Sequence, residues 1–148
     1  MDKVKNTKKY DINRAAESHV LSILHRLGYE ATFALGHKAT MELGNKKDVD
    51  IIVFKPDGRI AKIDVIGTAD HRDWSINAQK LFRRKSLYIV LVCFSNKIAD
   101  PNECPSAWVF PVRDLKKFIH EYRTKTVVSH SKLIKNGEKY FQAWDTIA

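Results

Sequence analysis

Apolar residues between positions 11 and 27 recur at spacings of three and four, which is the period of an amphipathic helix. Asp11 or Asn13 is the predicted N-cap, and Gly28 marks the end of the helix. Its apolar positions are Ala15, Ala16, Val20, Leu21, Ile23, Leu24 and Leu27. The pattern therefore predicts one amphipathic helix over residues 11–27.

Two apolar stretches further along the chain alternate with period two and predict a β-hairpin. They cover residues 49–54 and 59–66, and Lys-Pro-Asp-Gly at 55–58 supplies the turn angles between them. Residues 29–35, YEATFAL, predict a short strand before the hairpin. The glycine-bearing residues 36–47 match no regular pattern.

The chain after the hairpin carries helical and strand-like patterns in turn. Asp73 or Ser75 begins a predicted helix that runs to about Arg84. Residues 87–94, LYIVLVCF, are apolar without alternation, as in a strand buried on both faces of a mixed or parallel sheet. Residues 107–112 predict a further strand, which its proline assigns to an edge of the sheet.

Two more helices are predicted towards residue 148. The first covers residues 113–122, with one face formed by Leu115, Phe118, Ile119 and Tyr122. The second is short and docks on the body of the protein through Tyr140, Phe141, Trp144 and Ile147. The elements together predict an α/β sandwich around one mixed sheet.

Length and charge narrow the class of protein. The chain has 148 residues, 44% of them hydrophobic, which suits one domain over 1–148, with a core at about 11–122 and a basic extension over 123–148. Lysine and arginine total 26 against 17 acids, and the formal charge of +9 favours a polyanionic partner. The longest apolar run is too short to span a membrane and no secretory signal is evident, so we expect a soluble, cytoplasmic protein.

Cysteine and histidine residues show no spacing typical of zinc ligands. Cys93 lies within the apolar run and is interpreted as a core residue, whereas Cys104 lies in a loop. The histidines form no metal-binding pair, so the sequence predicts no zinc site. The chain also lacks a P-loop, a GxSxG elbow and a dinucleotide fingerprint, which disfavours nucleotide hydrolysis, acyl transfer and NAD chemistry.

Two aspartates occupy strand positions whose neighbours are apolar. Asp50 shares a strand face with Ile52, and Asp64 shares a face with Lys62 and Ile66. A carboxylate in such a setting needs solvent, a charged partner or a metal ion. Two converging carboxylates would suit Mg²⁺, which activates water and stabilises charge on a phosphate. A salt bridge between Asp64 and Lys62, or between Asp64 and a neighbouring basic residue, explains the pattern equally well.

The order of these features resembles the PD-(D/E)XK nuclease superfamily, which includes type II restriction enzymes and archaeal Holliday-junction resolvases. Over about residues 13–122 the chain has an acid on the first helix, VD on the first hairpin strand and IDVIG on the second, then a helix and a buried strand. The resemblance implies a restriction-endonuclease-like α/β/α sandwich, a Mg²⁺ or Mn²⁺ cofactor, and hydrolysis of DNA phosphodiester bonds. It assigns Glu17, Asp50 and Asp64 as the metal-binding and catalytic acids. It also implies a homodimer.

Ile66 departs from this resemblance, because the family has a lysine here, two residues and about 6.5 Å beyond the acid. That lysine positions or polarises the attacking water. Three explanations remain open. The role has moved to Lys80, Gln79 or Lys62; the protein is a pseudo-nuclease, acting as a DNA-binding or protein-interaction module in a defence or repair assembly; or Ile66 is an individual substitution in a lysine-bearing lineage.

Basic residues near the predicted site are candidate nucleic-acid contacts. They are His71 and Arg72 in the loop after the hairpin, and Arg83, Arg84 and Lys85 at the end of the following helix. Further basic runs cover residues 3–9 and 132–139. Trp74 is expected to pack the helix or to stack on a base.

Overall fold

The computed structural model describes residues 10–34, 49–83 and 87–147. These residues form the helices α1 (Ile12–Arg26), α2 (Ala78–Phe82) and α3 (His130–Asn136). A large sheet contains β1 (Glu30–Phe33), β2 (Ile51–Phe54), β3 (Ile60–Thr68), β5 (Leu87–Cys93) and β6 (Ser106–Pro111). A small sheet contains β4 (Trp74–Ile76), β7 (Ile119–Glu121) and β8 (Thr126–Val128). Segments of 3₁₀ helix cover Val112–Phe118, Glu138–Tyr140 and Trp144–Ile147.

The large sheet is mixed and has the strand order β1-β2-β3-β5-β6. Strands β1, β2 and β3 form an antiparallel meander, β5 is parallel to β3, and β6 is antiparallel to β5. The chain crosses from β3 to β5 through β4 and α2. The predicted hairpin, the buried strand and the proline-containing edge strand are therefore confirmed, as is the mixed α/β class.

Helix α1 covers one face of the meander and begins and ends where its caps predict. The Asp11 carboxylate accepts a hydrogen bond from the Arg14 backbone N–H at 3.0 Å, and Gly28 has a φ of +86°. The buried side chain of Ala16 packs against Gly67 of β3, where a Cβ would lie only 2.9 Å from the Ala16 Cβ. Gly67 thus permits the close approach of helix and strand.

Apolar layers cover both faces of the large sheet. On the α1 face, Val20 and Leu24 pack with Ile63 and Val65 of β3. The other face is covered by α2, the 112–118 segment, the small sheet and α3, and is filled by residues that include Trp74, Leu81, Leu115, Val128 and Leu133. Residues 126–147, which lie within the predicted basic extension 123–148, contribute buried side chains to both layers. None of the described helices has the length and apolarity needed to cross a bilayer.

The helix predicted from Asp73 or Ser75 to about Arg84 is wrong in its first part. Residues 74–76 form β4, because Trp74 faces the core while Ser75 is exposed, which is the alternation of a strand. The helix itself begins after Asn77, whose side chain accepts a hydrogen bond from the Lys80 backbone N–H at 3.2 Å. Trp74 is fully buried, so it packs in the core and is not available to stack on a base.

The α-helix predicted over residues 113–122 is also wrong. The buried residues Val112, Leu115 and Phe118 are three apart, which is the period of a 3₁₀ helix. The next three residues pair with β8 as strand β7. The last predicted helix is a pair of 3₁₀ segments. Phe141 is 47% exposed but contacts the body through Trp108, with ring centroids 5.4 Å apart.

Candidate functional site

Asp50 lies directly beside Asp64 at the point where β2 begins. The Asp50 backbone N–H donates a hydrogen bond to the Ile63 carbonyl at 3.1 Å. Its carboxylate oxygen Oδ2 accepts a hydrogen bond from the Val65 backbone N–H at 2.8 Å. Asp50 is therefore bonded to the two residues that flank Asp64.

The side chains of the two aspartates belong to the same face of the large sheet. Ile52 pairs with Lys62 across the hairpin, so the alternation in β2 and β3 assigns Asp50, Ile52, Lys62 and Asp64 to one face. Both aspartates are half-buried. The alternation of the sequence thus correctly places the two acids together.

Ile66 lies on the same face and packs, half-buried, against the apolar layer there. Helix α2 covers this face through Leu81, and its Gln79 and Lys80 side chains are exposed. Glu17 is half-buried on α1, whose apolar side packs on the opposite face. Glu17, Asp50 and Asp64, all within the described residues, do not form a group of three close metal-ligating atoms.

The Asp50 carboxylate has a structural role that a matched pair of substitutions can measure. Asp50→Ala leaves the Val65 N–H without its acceptor, and we expect the free energy of unfolding to fall by about 1–3 kcal/mol. Asp50→Asn keeps a side-chain oxygen in place and is expected to lower it by less than about 1 kcal/mol. Urea denaturation of the two variants measures the difference. Equal losses for alanine and asparagine would contradict this role.

The loop after β3 is held by an ion pair. Arg72 donates from Nε and Nη2 to the two carboxylate oxygens of Asp70, both at 2.7 Å. These hydrogen bonds lower the pKa of Asp70 to about 2 and raise that of Arg72. A nucleic-acid contact by Arg72 would therefore have to share or replace the bond to Asp70.

A second group of polar side chains lies at the carboxyl ends of β3 and β5. His71, Cys93 and His130 each place one potential metal-ligating atom within 4.8 Å of the other two. The Cys93 thiol donates to the Asp70 carbonyl at 3.2 Å, and its sulfur lies 3.9 Å from His71 Nδ1. The side chains line a pocket of about 350 Å³ together with Ser95, Glu138 and other residues.

Aromatic rings surround the His130 imidazole, and burial affects its protonation. Its ring centroid lies 5.4 Å from that of Trp74 and 5.3 Å from that of His71. Burial and the neighbouring His71 lower the pKa of His130, although Asp73 acts in the opposite direction. The imidazole therefore favours its neutral form, which is the form that binds metal ions.

Sequence reasoning missed this cluster because no local spacing connects its members. Cys93 is buried, as predicted, but its sulfur also faces a pocket. His71 and His130 lie 22 and 37 residues from it along the chain. Only the parallel pairing of β3 with β5 and the return of the chain at α3 bring them together.

The predicted basic contacts are only partly within the described residues. Arg83 is exposed at the end of α2, whereas Arg84, Lys85 and the run at 3–9 lie outside the described residues. In the run at 132–139, Lys132 and Lys139 line a depression of about 390 Å³ with Lys117. Three ammonium groups around one depression form a surface that favours phosphate.

In comparisons with protein-family models, curated proteins and solved structures, no match to this chain is found. The functional assignment therefore rests on the residues and topology of the chain itself.

Proposed function

We propose that this protein is a DNA-binding protein of the PD-(D/E)XK nuclease type that hydrolyses phosphodiester bonds with Mg²⁺ held by Asp50 and Asp64. One observation carries the proposal: Asp50 is bonded through its backbone to Ile63 and through its carboxylate to Val65, so it lies against Asp64. Two carboxylates on neighbouring strands suit Mg²⁺, which takes one or two carboxylates and keeps several waters.

The topology supports the restriction-endonuclease-like fold that this proposal needs. A helix precedes an antiparallel meander, and a strand parallel to the third strand of the meander follows a crossover. The acids lie where β2 starts and β3 continues beside β5, and both faces of the sheet are covered. These features agree with an α/β/α sandwich.

Each residue at the proposed Mg²⁺ site has a distinct role. Mg²⁺, when bound, activates water and stabilises negative charge on the phosphate. Asp50 and Asp64 would hold the cation on one face of the sheet, whereas Glu17 lies on α1, which packs on the opposite face, and is not needed for the proposed site. Ile66 cannot donate to the attacked phosphate, so Lys80 or Gln79, exposed on the helix covering the same face, takes that part. Cleavage is expected to be slow, because position 66 carries isoleucine where the nuclease family has a lysine side chain.

The basic surface supports DNA as the partner. The formal charge of +9 and the lysine-lined depression at Lys117, Lys132 and Lys139 suit contacts with phosphate that do not depend on sequence. Such binding weakens with salt, and the logarithm of the affinity falls by about 0.9 per phosphate contact for each tenfold rise in salt. A second copy of the chain would place two such sites on one duplex.

One observation favours a second candidate function, a non-catalytic DNA-binding or interaction module. Ile66 has a structural role of its own, because its side chain packs against the apolar layer in the position where the nuclease family has a lysine. A chain that has lost cleavage would retain such packing and its basic surface, and it would act within a defence or repair assembly.

The proposal is tested with plasmid, branched and single-stranded DNA at low salt in Mg²⁺ and in Mn²⁺. We expect the native chain to bind DNA and to cleave it slowly, because both acids are in place. Asp64→Asn removes one metal-binding charge with little change in shape and is expected to abolish cleavage. Asp57→Asn, in the exposed hairpin turn, is the matched control and should cleave at the native rate.

The outcomes separate the two candidates. Binding without cleavage would replace the nuclease by the non-catalytic module. Failure to bind any of the DNAs at low salt would reject the nuclease and the DNA-binding module, and would favour the protein-interaction module. Equal cleavage by the native chain and by Asp64→Asn would show that the activity does not come from this site.

A further inference from the structure

We infer that His71, Cys93 and His130 form a zinc-binding site, separate from the two aspartates. The three side chains come from the loop after β3, the end of β5 and the start of α3. Within residues 10–34, 49–83 and 87–147, this is the one group of three metal-ligating side chains that converge. In the pairing of β3 with β5, Cys93 lies opposite Thr68, four residues or about 13 Å along β3 from Asp64.

The ligand atoms are already close to the spacing of a tetrahedral zinc site. Zinc bonds of about 2.3 Å to sulfur and about 2.0–2.1 Å to nitrogen hold those two atoms about 3.5 Å apart. Cys93 Sγ and His71 Nδ1 lie 3.9 Å apart. His71 is exposed, so its side chain can close the remaining distance without a change in the core.

The donor set selects the metal. A thiolate and two imidazoles suit zinc, whereas Mg²⁺ and Ca²⁺ prefer oxygen ligands. The Cys93 thiol proton, which is donated to the Asp70 carbonyl, leaves to solvent as the zinc–sulfur bond forms. The site therefore differs in chemistry from the pair of aspartates as well as in position.

An unsatisfied polar atom points to the same conclusion. Among the described residues, His130 Nε2 is the buried side-chain polar atom that lacks a hydrogen-bond partner. Buried polar atoms are almost always satisfied, and a bound ion is one explanation for an exception. Trp74 and Trp108, with ring centroids 5.4 and 6.3 Å from that of His130, hold the imidazole in place.

Three protein ligands leave the fourth zinc position to another molecule. The three side chains line the pocket of about 350 Å³, whose other walls include Ser95, Ser106 and Glu138. Zinc sites with three protein ligands and an open position bind water or a substrate there. The fourth position therefore faces a pocket large enough for a small polar molecule.

The full chain, freed of metal by a chelator, is titrated with Zn²⁺ and with Co²⁺ as a spectroscopic probe. We expect one equivalent to bind, a thiolate-to-cobalt charge-transfer band to appear, and the melting temperature to rise with Zn²⁺ because the folded state binds it. His71→Ala changes an exposed residue and should keep the fold. It is expected to weaken zinc binding by more than about 100-fold. Loss of a residue that only hydrogen-bonds a metal ligand costs up to about 100-fold, and the loss of a ligand itself should cost more.

Two matched controls change the same residue types outside the cluster. His120→Ala and Cys104→Ser, both at exposed positions, should bind zinc as the native chain does. Cys93→Ser should lose the charge-transfer band. The inference is overturned if the native chain binds no equivalent of zinc, if the cobalt complex lacks the thiolate band, or if His71→Ala binds zinc as tightly as the native chain.

Discussion

If the proposed nuclease function is correct, replacing Ile66 by lysine is expected to raise the rate of Mg²⁺-dependent DNA cleavage by about 10²–10⁴-fold, the usual contribution of one positioned acid–base group. Ile66 is half-buried on the face that carries Asp64, and the methylene groups of a lysine can cover the same apolar surface. The ammonium group then extends towards Asp64 and the attacked phosphate. The measurement is single-turnover cleavage of a labelled duplex at saturating protein.

Ile66→Met is the matched control, because methionine supplies a flexible unbranched chain without a charge. It should leave the cleavage rate unchanged. The double variant Asp64→Asn/Ile66→Lys should lose the gained activity, since the lysine acts only beside a metal-binding acid. If Ile66→Lys folds and binds DNA but cleaves no faster than Ile66→Met, the position does not correspond to that of the family's lysine.

Replacing Trp74 by alanine is expected to lower the free energy of unfolding by about 3–5 kcal/mol, the range for removing a large buried aromatic. Trp74 is fully buried, and its Nε1 donates a hydrogen bond to the Val92 carbonyl at 3.2 Å. Its ring also contacts Trp108 edge-on at a centroid distance of 5.7 Å. The substitution therefore leaves a cavity and removes one hydrogen bond to the Val92 carbonyl. Urea denaturation measures the loss.

Trp74→Phe separates the two contributions, because it keeps most of the ring and removes the donor. Its expected loss is smaller than that of Trp74→Ala. Tyr122→Ala is the surface control: Tyr122 is 49% exposed, and the change should fall within about 0.5 kcal/mol of the native value. A loss below about 1 kcal/mol for Trp74→Ala would contradict the role of Trp74 in joining the small sheet to the large one.

Elements with strong local signals could be predicted from the sequence. Helix α1 has a full apolar period, a capping Asp11 and a terminal Gly28, and the hairpin has alternation on both sides of a proline–glycine turn. Helix α3 was missed although Ser129 caps it and Gly137 follows it, because Leu133 is its one buried residue and no periodicity shows. The 3₁₀ segment was mistaken for an α-helix because periods of three and 3.6 differ little over seven residues.

The two candidate sites also differ in whether a local sequence pattern predicts them. Asp50 and Asp64 belong to one hairpin, whose short turn fixes the register, so alternation alone assigns both side chains to one face. The cluster of His71, Cys93 and His130 depends on three segments that meet through long-range packing. The spacing of residues along the chain does not predict that these three segments lie close together.

Residues 138–147 close both apolar layers of the protein. Tyr140 is buried on one side of the large sheet, whereas Trp144 and Ile147 are buried on the other. While these residues are not yet synthesised, the nascent chain exposes apolar surface on both faces of the large sheet. Such exposed surface promotes aggregation. Folding during synthesis therefore cannot finish stepwise along the chain, and we expect it to complete only after this segment has left the exit tunnel.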